Sequence, residues 1–443
     1  MERIITLEVL AALSQNGFSL DELVIKTKEL FEREGLSGFV SLILRLVDEQ
    51  LCIEFISGRR ATLSPCCGHA RHEHLDQLDR RFRTSIGMVS LRWRRLRCTN
   101  CGASFIPLRE FLGLAKHQSK TSELERIVAE IVSEQSYRRS SSHLDTIGLI
   151  PVAKSTAHRW VAQSDCDMID PCRDKLDLLF ADGTCYKRRP DKHRKINNRG
   201  ELRIGLGVTK SGSVVSLGAF SGVEWDQIAS KIKDNGADDG PLAEMLVSDG
   251  EAGIVNNLGP LCDSSQRCHW HIVRDINHAL YLDAVEKRQR DKMKKELAAT
   301  IAIELPREDM DEVKYGDLLE LSQRAVEAEK EIGRLVGRLR EKKYTFAADY
   351  VSNASSHLFS YVYRWFETGI VSPRVSSFIE RMMRELARRL KRMAFGWSEN
   401  GAAKMARIII KRFTSANKWQ EYWNNKLRIN DSVLLALRSI RAF

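Results

Sequence analysis

The chain has 443 residues, 29% charged and 43% hydrophobic, which excludes a mostly disordered or integral membrane protein and corresponds to roughly two to four domains. Seventy Lys+Arg against 59 Asp+Glu leave a net charge of +11, an excess that favours a polyanionic partner, either nucleic acid or an acidic membrane surface. No apolar run approaches the ~20 residues of a bilayer span, and Met1-Glu2-Arg3-Ile4-Ile5 does not open a signal peptide, so a cytoplasmic protein without membrane attachment is expected. In a reducing compartment, ten cysteines of which four cluster read as metal ligands before disulfides.

Residues 1–51 form an N-terminal helical region, in which Leu20, Leu23, Val24, Leu30 and Phe31 recur near helical spacing and Gly35 and Gly38 break the run before Phe39–Leu44. From 52 to 113 short alternating runs and turns predict a β-rich, zinc-ribbon-like module. Its knuckles are Cys66-Cys67-Gly68 and Cys98-Thr99-Asn100-Cys101-Gly102. The C-x-x-C spacing lets one tight turn fill two corners of a tetrahedron, with Gly102 permitting the turn, and makes Zn²⁺ the candidate ion. The first pair is irregular: Cys67 is the safer ligand, and the fourth place is open to Cys66, His69, His72 or His74. Between the knuckles Val89, Leu91 and Trp93 alternate with Ser90, Arg92 and Arg94, giving a strand with one apolar and one cationic face suited to a phosphate backbone.

Residues 114–166 read as a helix-turn-helix-like DNA-binding segment. Leu124, Ile127, Val128 and Ile131 mark one amphipathic helix, a second short one lies around Ser141–Ile147, and a turn at Gly148-Leu149-Ile150-Pro151 leads to Ser155–Val161, where His158 and Arg159 are candidates to contact DNA.

From 172 to 280 strand and helix signals alternate. Leu176–Ala181 is an apolar run ending at Asp182-Gly183; Leu202–Val208 and Val214–Phe220 follow as a hairpin around Lys210-Ser211-Gly212. A helix over Trp225–Ile232 then precedes the strand Met245–Ser248, which ends at Asp249-Gly250. Three strands, a helix and a strand open a ribonuclease-H-like fold, a mixed α/β sheet flanked by helices, in which strand ends bring Asp182 and Asp249 together. Paired carboxylates suit two Mg²⁺ (or Mn²⁺) ions acting on a phosphodiester. A third acid is supplied by Glu380, at the start of a helix whose Ile379, Met382, Met383, Leu386, Leu390 and Met393 form a buried face; Arg384 and Arg388 follow at i+4 and i+8. The basic loop Tyr186–Lys195, with Lys187, Arg188, Arg189, Lys192, Arg194 and Lys195, is expected to grip DNA. Residues 281–345 form a helical insertion that divides the catalytic domain into 172–280 and 346–425.

These residues resemble the DDE transposases of prokaryotic insertion sequences, in the Mutator-like group with a ribonuclease-H-like core. Cys268-His269-Trp270-His271 resembles that group's C-x-x-H signature, and Ile379-Glu380-Arg381 with Phe395-Gly396-Trp397-Ser398 resembles its third-acid region. The resemblance covers about 172–410 and implies that Asp182, Asp249 and Glu380 are a metal-binding catalytic triad supported by Cys268 and His271. It implies a magnesium-dependent enzyme that binds terminal inverted repeats, cleaves DNA and transfers a strand into target DNA. Homo-oligomeric synapsis is expected, and no small-molecule substrate. Two rivals are a non-catalytic zinc-ribbon/helix-turn-helix DNA-binding regulator and a nuclease of the same fold without strand transfer.

Overall fold

A computed structural model describes residues 20–30, 35–60, 65–68, 71–147, 151–163, 170, 174–189, 199–234, 240–306, 310–393, 395–414 and 416–428. They divide into two units, Met1–Trp160 with Tyr422–Phe443, and Val161–Glu421.

In the first unit the N-terminal apolar stretch forms helices α1 (Leu20–Leu30) and α2 (Leu36–Ile56). The break expected at Gly38 does not occur. One glycine costs a helix about 1 kcal/mol, which the long apolar run of α2 carries by burial. The helix also continues past Cys52, where the sequence texture changes, because Leu51, Cys52 and Phe55 are its buried face against the strands that follow.

Strands β1 (His72–Thr84) and β2 (Gly87–Cys98) form a hairpin closed at Gly87, whose φ of 113° excludes most side chains. The two-residue β3 (Ser104–Phe105) pairs only with Leu96 and Arg97. On β2 the alternation holds: Val89, Leu91 and Trp93 are buried, Ser90 and Arg92 exposed. Because β3 is so short, most of the outer edge of β2 needs another cover, and α2 supplies it: the Ser90 amide donates to Ser41 Oγ at 3.1 Å, and Arg94 reaches Glu49 at 3.1 Å and Asp48 at 3.6 Å.

Helices α3 (Pro107–Phe111), α4 (Ser122–Glu134), α5 (Tyr137–Thr146) and α6 (Lys154–Gln163) follow. Thr121 and Ser136 cap α4 and α5 by accepting from the Leu124 and Arg139 amides. The buried face of α4 is Leu124, Val128, Ala129 and Val132; Ile127 and Ile131 are only half-buried. The helix expected around Ser141–Ile147 begins earlier, at Tyr137, because Ser136 is the cap. Residues 148–150 of the turn before α6 lie outside the described residues.

The second unit is built on a five-stranded mixed sheet of β4 (Leu176–Lys187), β5 (Arg199–Val208), β6 (Val214–Ser221), β7 (Ala243–Ser248) and β8 (Cys262–Arg267), in the order β6-β5-β4-β7-β8. The first three are antiparallel, and β7 and β8 join parallel on the other side of β4. The near-continuous burial of β5 and β6 means that both faces are covered. Helices α7 (Trp225–Asp234) and α8 (Ala252–Leu258) pack on one face through Trp225, Ile228, Ile232, Ile254 and Leu258.

The fifth strand, Cys262-Asp263-Ser264-Ser265-Gln266-Arg267, has no apolar alternation and is a strand because β7 offers it a parallel ladder. Its far edge is covered by the segment leading into α13 and the helix's first residue: the Arg267 amide donates to the His357 carbonyl at 2.7 Å and Ser360 Oγ to the Ser265 carbonyl at 2.7 Å.

Helices α9 (His269–Leu282), α10 (Lys287–Ile301), α11 (Tyr315–Glu341), α12 (Thr345–Ser355) and α13 (Ser360–Thr368) share one core. It runs from Ile272 to Val362, so the helical body is larger than the expected 281–345 insertion: α9, α12 and α13 bury their apolar stripes in it as well. Helices α14 (Ser377–Leu390), α15 (Glu399–Thr414) and α16 (Ala416–Leu427) follow among the described residues. Among the described residues no helix is long and apolar enough to cross a membrane.

Candidate functional site

The parallel ladder of β4 and β7 aligns Ala181 with Ser248, so the next residues, Asp182 and Asp249, emerge side by side. Only one of the two lies at a strand end. β7 stops at Ser248, but β4 runs on to Lys187 because β5 continues to pair with it, which corrects the expected end after Asp182. The two-residue period of a strand puts Phe180 and Asp182 on one face. Phe180 packs against Phe378, ring centroids 5.5 Å apart, and Glu380 lies two residues further on, in the first turn of α14.

Burial, and then the negative charges of Asp249 and Glu380, push the Asp182 carboxyl up to about 7. The nearby His271 and the Gly183 amide, which donates to Asp182 Oδ1 at 2.7 Å, offset this only in part.

The C-x-x-H residues hold this cluster from behind. Cys268 follows β8 directly, and its amide donates to the Ser248 carbonyl at 2.8 Å, next to Asp249. One turn into α9, His271 sets Nε2 3.1 Å from Glu380 Oε1, and its Nδ1 lies 3.4 Å from Ser376 Oγ. Ser376 in turn donates its amide and its hydroxyl to Cys268 Sγ, both at 3.3 Å. Burial alone would lower the His271 pKa, but the Cys268 contact and the charge of Asp249 outweigh it and the value is raised. For Cys268 the hydrogen bonds from His271 and Ser376 outweigh burial, and the thiol is lowered. His271 therefore stands against Glu380, while Cys268 is a hydrogen-bond acceptor joining α9 to the start of α14.

Sequence reasoning missed Arg267, Glu251 and Ser376 as participants. Gly250 has φ 82°, and a Cβ there would collide with the Arg267 guanidinium, which lies against the turn after Asp249 and donates to Tyr350 Oη at 2.9 Å. Glu251, which starts α8, has its amide on Asp249 Oδ1 at 2.9 Å and its carboxylate on Trp225 Nε1 at 2.9 Å. Ser376 joins Cys268 to His271. The one legible signal was Asp249-Gly250 itself, because a glycine after an acid at a strand end marks a turn that needs positive φ.

The second cluster lies in the first unit. The Sγ atoms of Cys66, Cys67, Cys98 and Cys101 lie within 4.8 Å of one another, and among the described residues they are the only group of three or more side chains with this ligand spacing. Cys67 and Cys98 are 3.6 Å apart, near the edge of about 3.8 Å that a tetrahedron with ~2.3 Å Zn–S bonds requires. Gly68 and Gly102 follow the two pairs with φ of 72° and 71°, the turns that fold each knuckle back. The four thiols are placed to hold a metal such as zinc, with Cys66 in the fourth place among the described residues. His72 is a core residue, edge-on to Phe55 and Phe105 with Nδ1 3.3 Å from the Phe55 carbonyl; His74 is exposed on β1, and His69 lies outside the described residues.

The expected DNA contacts are spread over several elements. Arg92 is exposed and near Asp79 at 3.5 Å, whereas Arg94 is tied to α2. His158 and Arg159 are exposed on α6, His158 edge-on to Tyr137. At the end of β4, Lys187–Arg189 are held against a neighbouring segment: the Trp397 amide donates to the Lys187 carbonyl at 2.9 Å, the Arg189 amide to the Trp397 carbonyl at 2.8 Å, and Arg188 pairs with Glu399 at 2.9 Å. Tyr186, grouped with the gripping loop, is instead buried in β4 with its hydroxyl 2.8 Å from Ser221 Oγ. Lys192, Arg194 and Lys195 lie outside the described residues. Arg384 and Arg388 are exposed on α14, Arg388 beside Glu385 at 2.6 Å.

No protein-family model matches the chain, and the comparison with curated proteins gives no match.

Proposed function

We propose that the chain is a DDE transposase: it binds the terminal inverted repeats of an insertion sequence, cleaves DNA at the element's end and joins the freed 3′-hydroxyl to target DNA. One observation carries this reading. Asp249, after the fourth strand of the sheet, and Glu380, on a helix beyond the helical body, both act on Asp182 of the first strand, and His271 of the C-x-x-H segment stands on Glu380. The strand order β6-β5-β4-β7-β8, an antiparallel meander extended by two parallel strands, supports a ribonuclease-H-like fold for the second unit.

Three carboxylates offer the all-oxygen ligands that a hard divalent cation takes, spaced more widely than the four thiols, and burial first, then the charges of Asp249 and Glu380, push Asp182 towards its neutral form. Bound Mg²⁺ or Mn²⁺, two ions in the full site, would supply the charge that activates the attacking oxygen and stabilises the leaving 3′-oxygen. The chain's own part is orientation. The β4–β7 ladder aligns two acids, the Phe180–Phe378 contact seats the helix bearing the third, and His271 fixes the Glu380 carboxylate. The zinc-ribbon-like module and the helices α4–α6 are proposed to recognise the DNA ends, and pairing of two ends calls for an oligomer.

The test is an assay with Mg²⁺ and a labelled terminal repeat. The expected result is cleavage and a joined product from the parent chain, and neither from Asp182→Ala or Glu380→Ala although both still bind the repeat. Cleavage without any joined product, under conditions that support synapsis, replaces the transposase with a nuclease; binding of the repeat by the parent without cleavage, unchanged in both variants, replaces it with a DNA-binding regulator.

A further inference from the structure

Helices α14 and α15 leave a groove of about 590 Å³ between them, in the second unit. One wall is cationic. Arg381, Arg384 and Arg388 recur at helical spacing along α14, Arg392 follows just beyond its end, and all four are exposed. Side chains three and four positions apart on a helix stand about 5–6 Å from each other, so the guanidinium stems form a row. The one acid among the lining residues is Glu385, already paired with Arg388.

The rest of the lining is not what a purely electrostatic surface needs. Phe378 and Met382 contribute apolar surface, and Phe413, in the last turn of α15, leaves 43% of its surface exposed with the Arg412 guanidinium 5.2 Å from its ring centre. A duplex turns its phosphates outward and keeps its bases stacked inside, so it can use the arginine row but not the aromatic. An unpaired strand offers phosphates and base faces together, and a basic groove with an aromatic side chain is the combination that binds it.

We infer that this groove is a binding site for single-stranded nucleic acid, with phosphates along Arg381, Arg384, Arg388 and Arg392 and a base against Phe413. The inference rests on the proposed transposase only for the source of the strand, DNA left unpaired where an end is opened beside Glu380 in the first turn of the same helix. Binding itself needs no cleavage.

The experiment therefore uses the full chain carrying Asp182→Ala, titrated by fluorescence anisotropy with a labelled oligothymidine and with a duplex of equal length and unrelated sequence. Added to that background, Phe413→Ala is expected to weaken oligothymidine binding by roughly tenfold or more, the range set by loss of one base–aromatic stack, and to leave duplex binding as it was. Phe413→Trp keeps the platform and retains the single-strand affinity. Arg381→Gln with Arg392→Gln weakens oligothymidine binding and flattens its salt dependence. The inference is overturned if the parent does not bind oligothymidine, if Phe413→Ala with the parent's melting midpoint binds it unchanged, or if duplex binding falls equally. Failure of the cleavage reaction alters none of these readouts, so the two proposals fail separately.

Discussion

His271 Nε2 stands 3.1 Å from Glu380 Oε1, and these two residues, 109 positions apart in the chain, join the helix after β8 to the helix that carries the third acid. A carboxylate held by a histidine keeps one orientation whether or not a cation is bound, which lowers the cost of assembling the site. His271→Ala is expected to reduce cleavage by roughly 10–100-fold and to raise the Mg²⁺ concentration needed for half-maximal rate, with the fold retained. Rates measured across a magnesium titration test this; an unchanged midpoint together with an unchanged rate rules the role out.

Gly250→Ala meets two obstacles. Its φ of 82° costs an L-residue about 1–2 kcal/mol, and the new methyl would collide with the Arg267 guanidinium. The variant is expected to melt earlier than the parent and to lose cleavage, because Arg267 must leave the turn after Asp249. Gly212→Ala is the control: φ there is 78°, but nothing lies within 4 Å of the added carbon. It should lower the melting midpoint while keeping activity, and equal loss of activity in both variants would falsify the steric account.

Zinc at the four thiols predicts one ion per chain by elemental analysis. Exhaustive chelation, or Cys98→Ser, is expected to destabilise the first unit and expose thiols to a colorimetric reagent, since ion binding and folding are linked in such sites. Limited proteolysis should then cut within 71–147 before it cuts the sheet of the second unit. A metal-free protein with the parent's melting curve would contradict the assignment.

Asp48 carries a pH-dependent liability. It is 2% exposed in α2, and burial, only partly offset by Arg94, raises its carboxyl from 3.8 to about 6. An acid whose pKa is higher in the folded state favours folding while protonated, and that contribution is lost as the pH rises from about 4 through 6. The difference corresponds to on the order of 3 kcal/mol. Asp48→Asn should therefore raise the melting midpoint of the first unit at pH 8, with the gain shrinking towards pH 4. Melting curves at the two pH values decide it, and a lower midpoint at pH 8 would mean that the Arg94 pair outweighs the burial.

What could be read directly were features whose cause is local. Asp182-Gly183 and Asp249-Gly250 stand out because each sets an acid beside a glycine directly after an apolar run, a pattern that adjacent residues carry by themselves. The second knuckle is legible because two thiols three apart with a following glycine already define a turn. Leu202–Val208 and Val214–Phe220 announce a hairpin by β-branched and apolar density around Lys210-Ser211-Gly212. The strand Cys262–Arg267 escaped because its stability lies in a ladder to β7 and in an edge cover from residues about 90 positions later, neither of which alters its own composition. Tyr186 was misplaced for a related reason: β5 extends β4 beyond its apolar run, so a residue read as loop is pinned on Ser221.

The sequence by itself determined the acids, the thiols and the C-x-x-H segment as chemical types at particular spacings, since donor identity and turn geometry are written in adjacent residues. Which of them meet was decided only by the tertiary structure. Cys66 rather than His72 completes the thiol cluster because His72 is packed between Phe55 and Phe105. Likewise the 130 residues between Asp249 and Glu380 contain a helical body with its own core, and only the packing of α14 on β4 brings the third acid to act on the first. Contacts over such separations depend on sheet register and helix packing, which no local window of the chain contains.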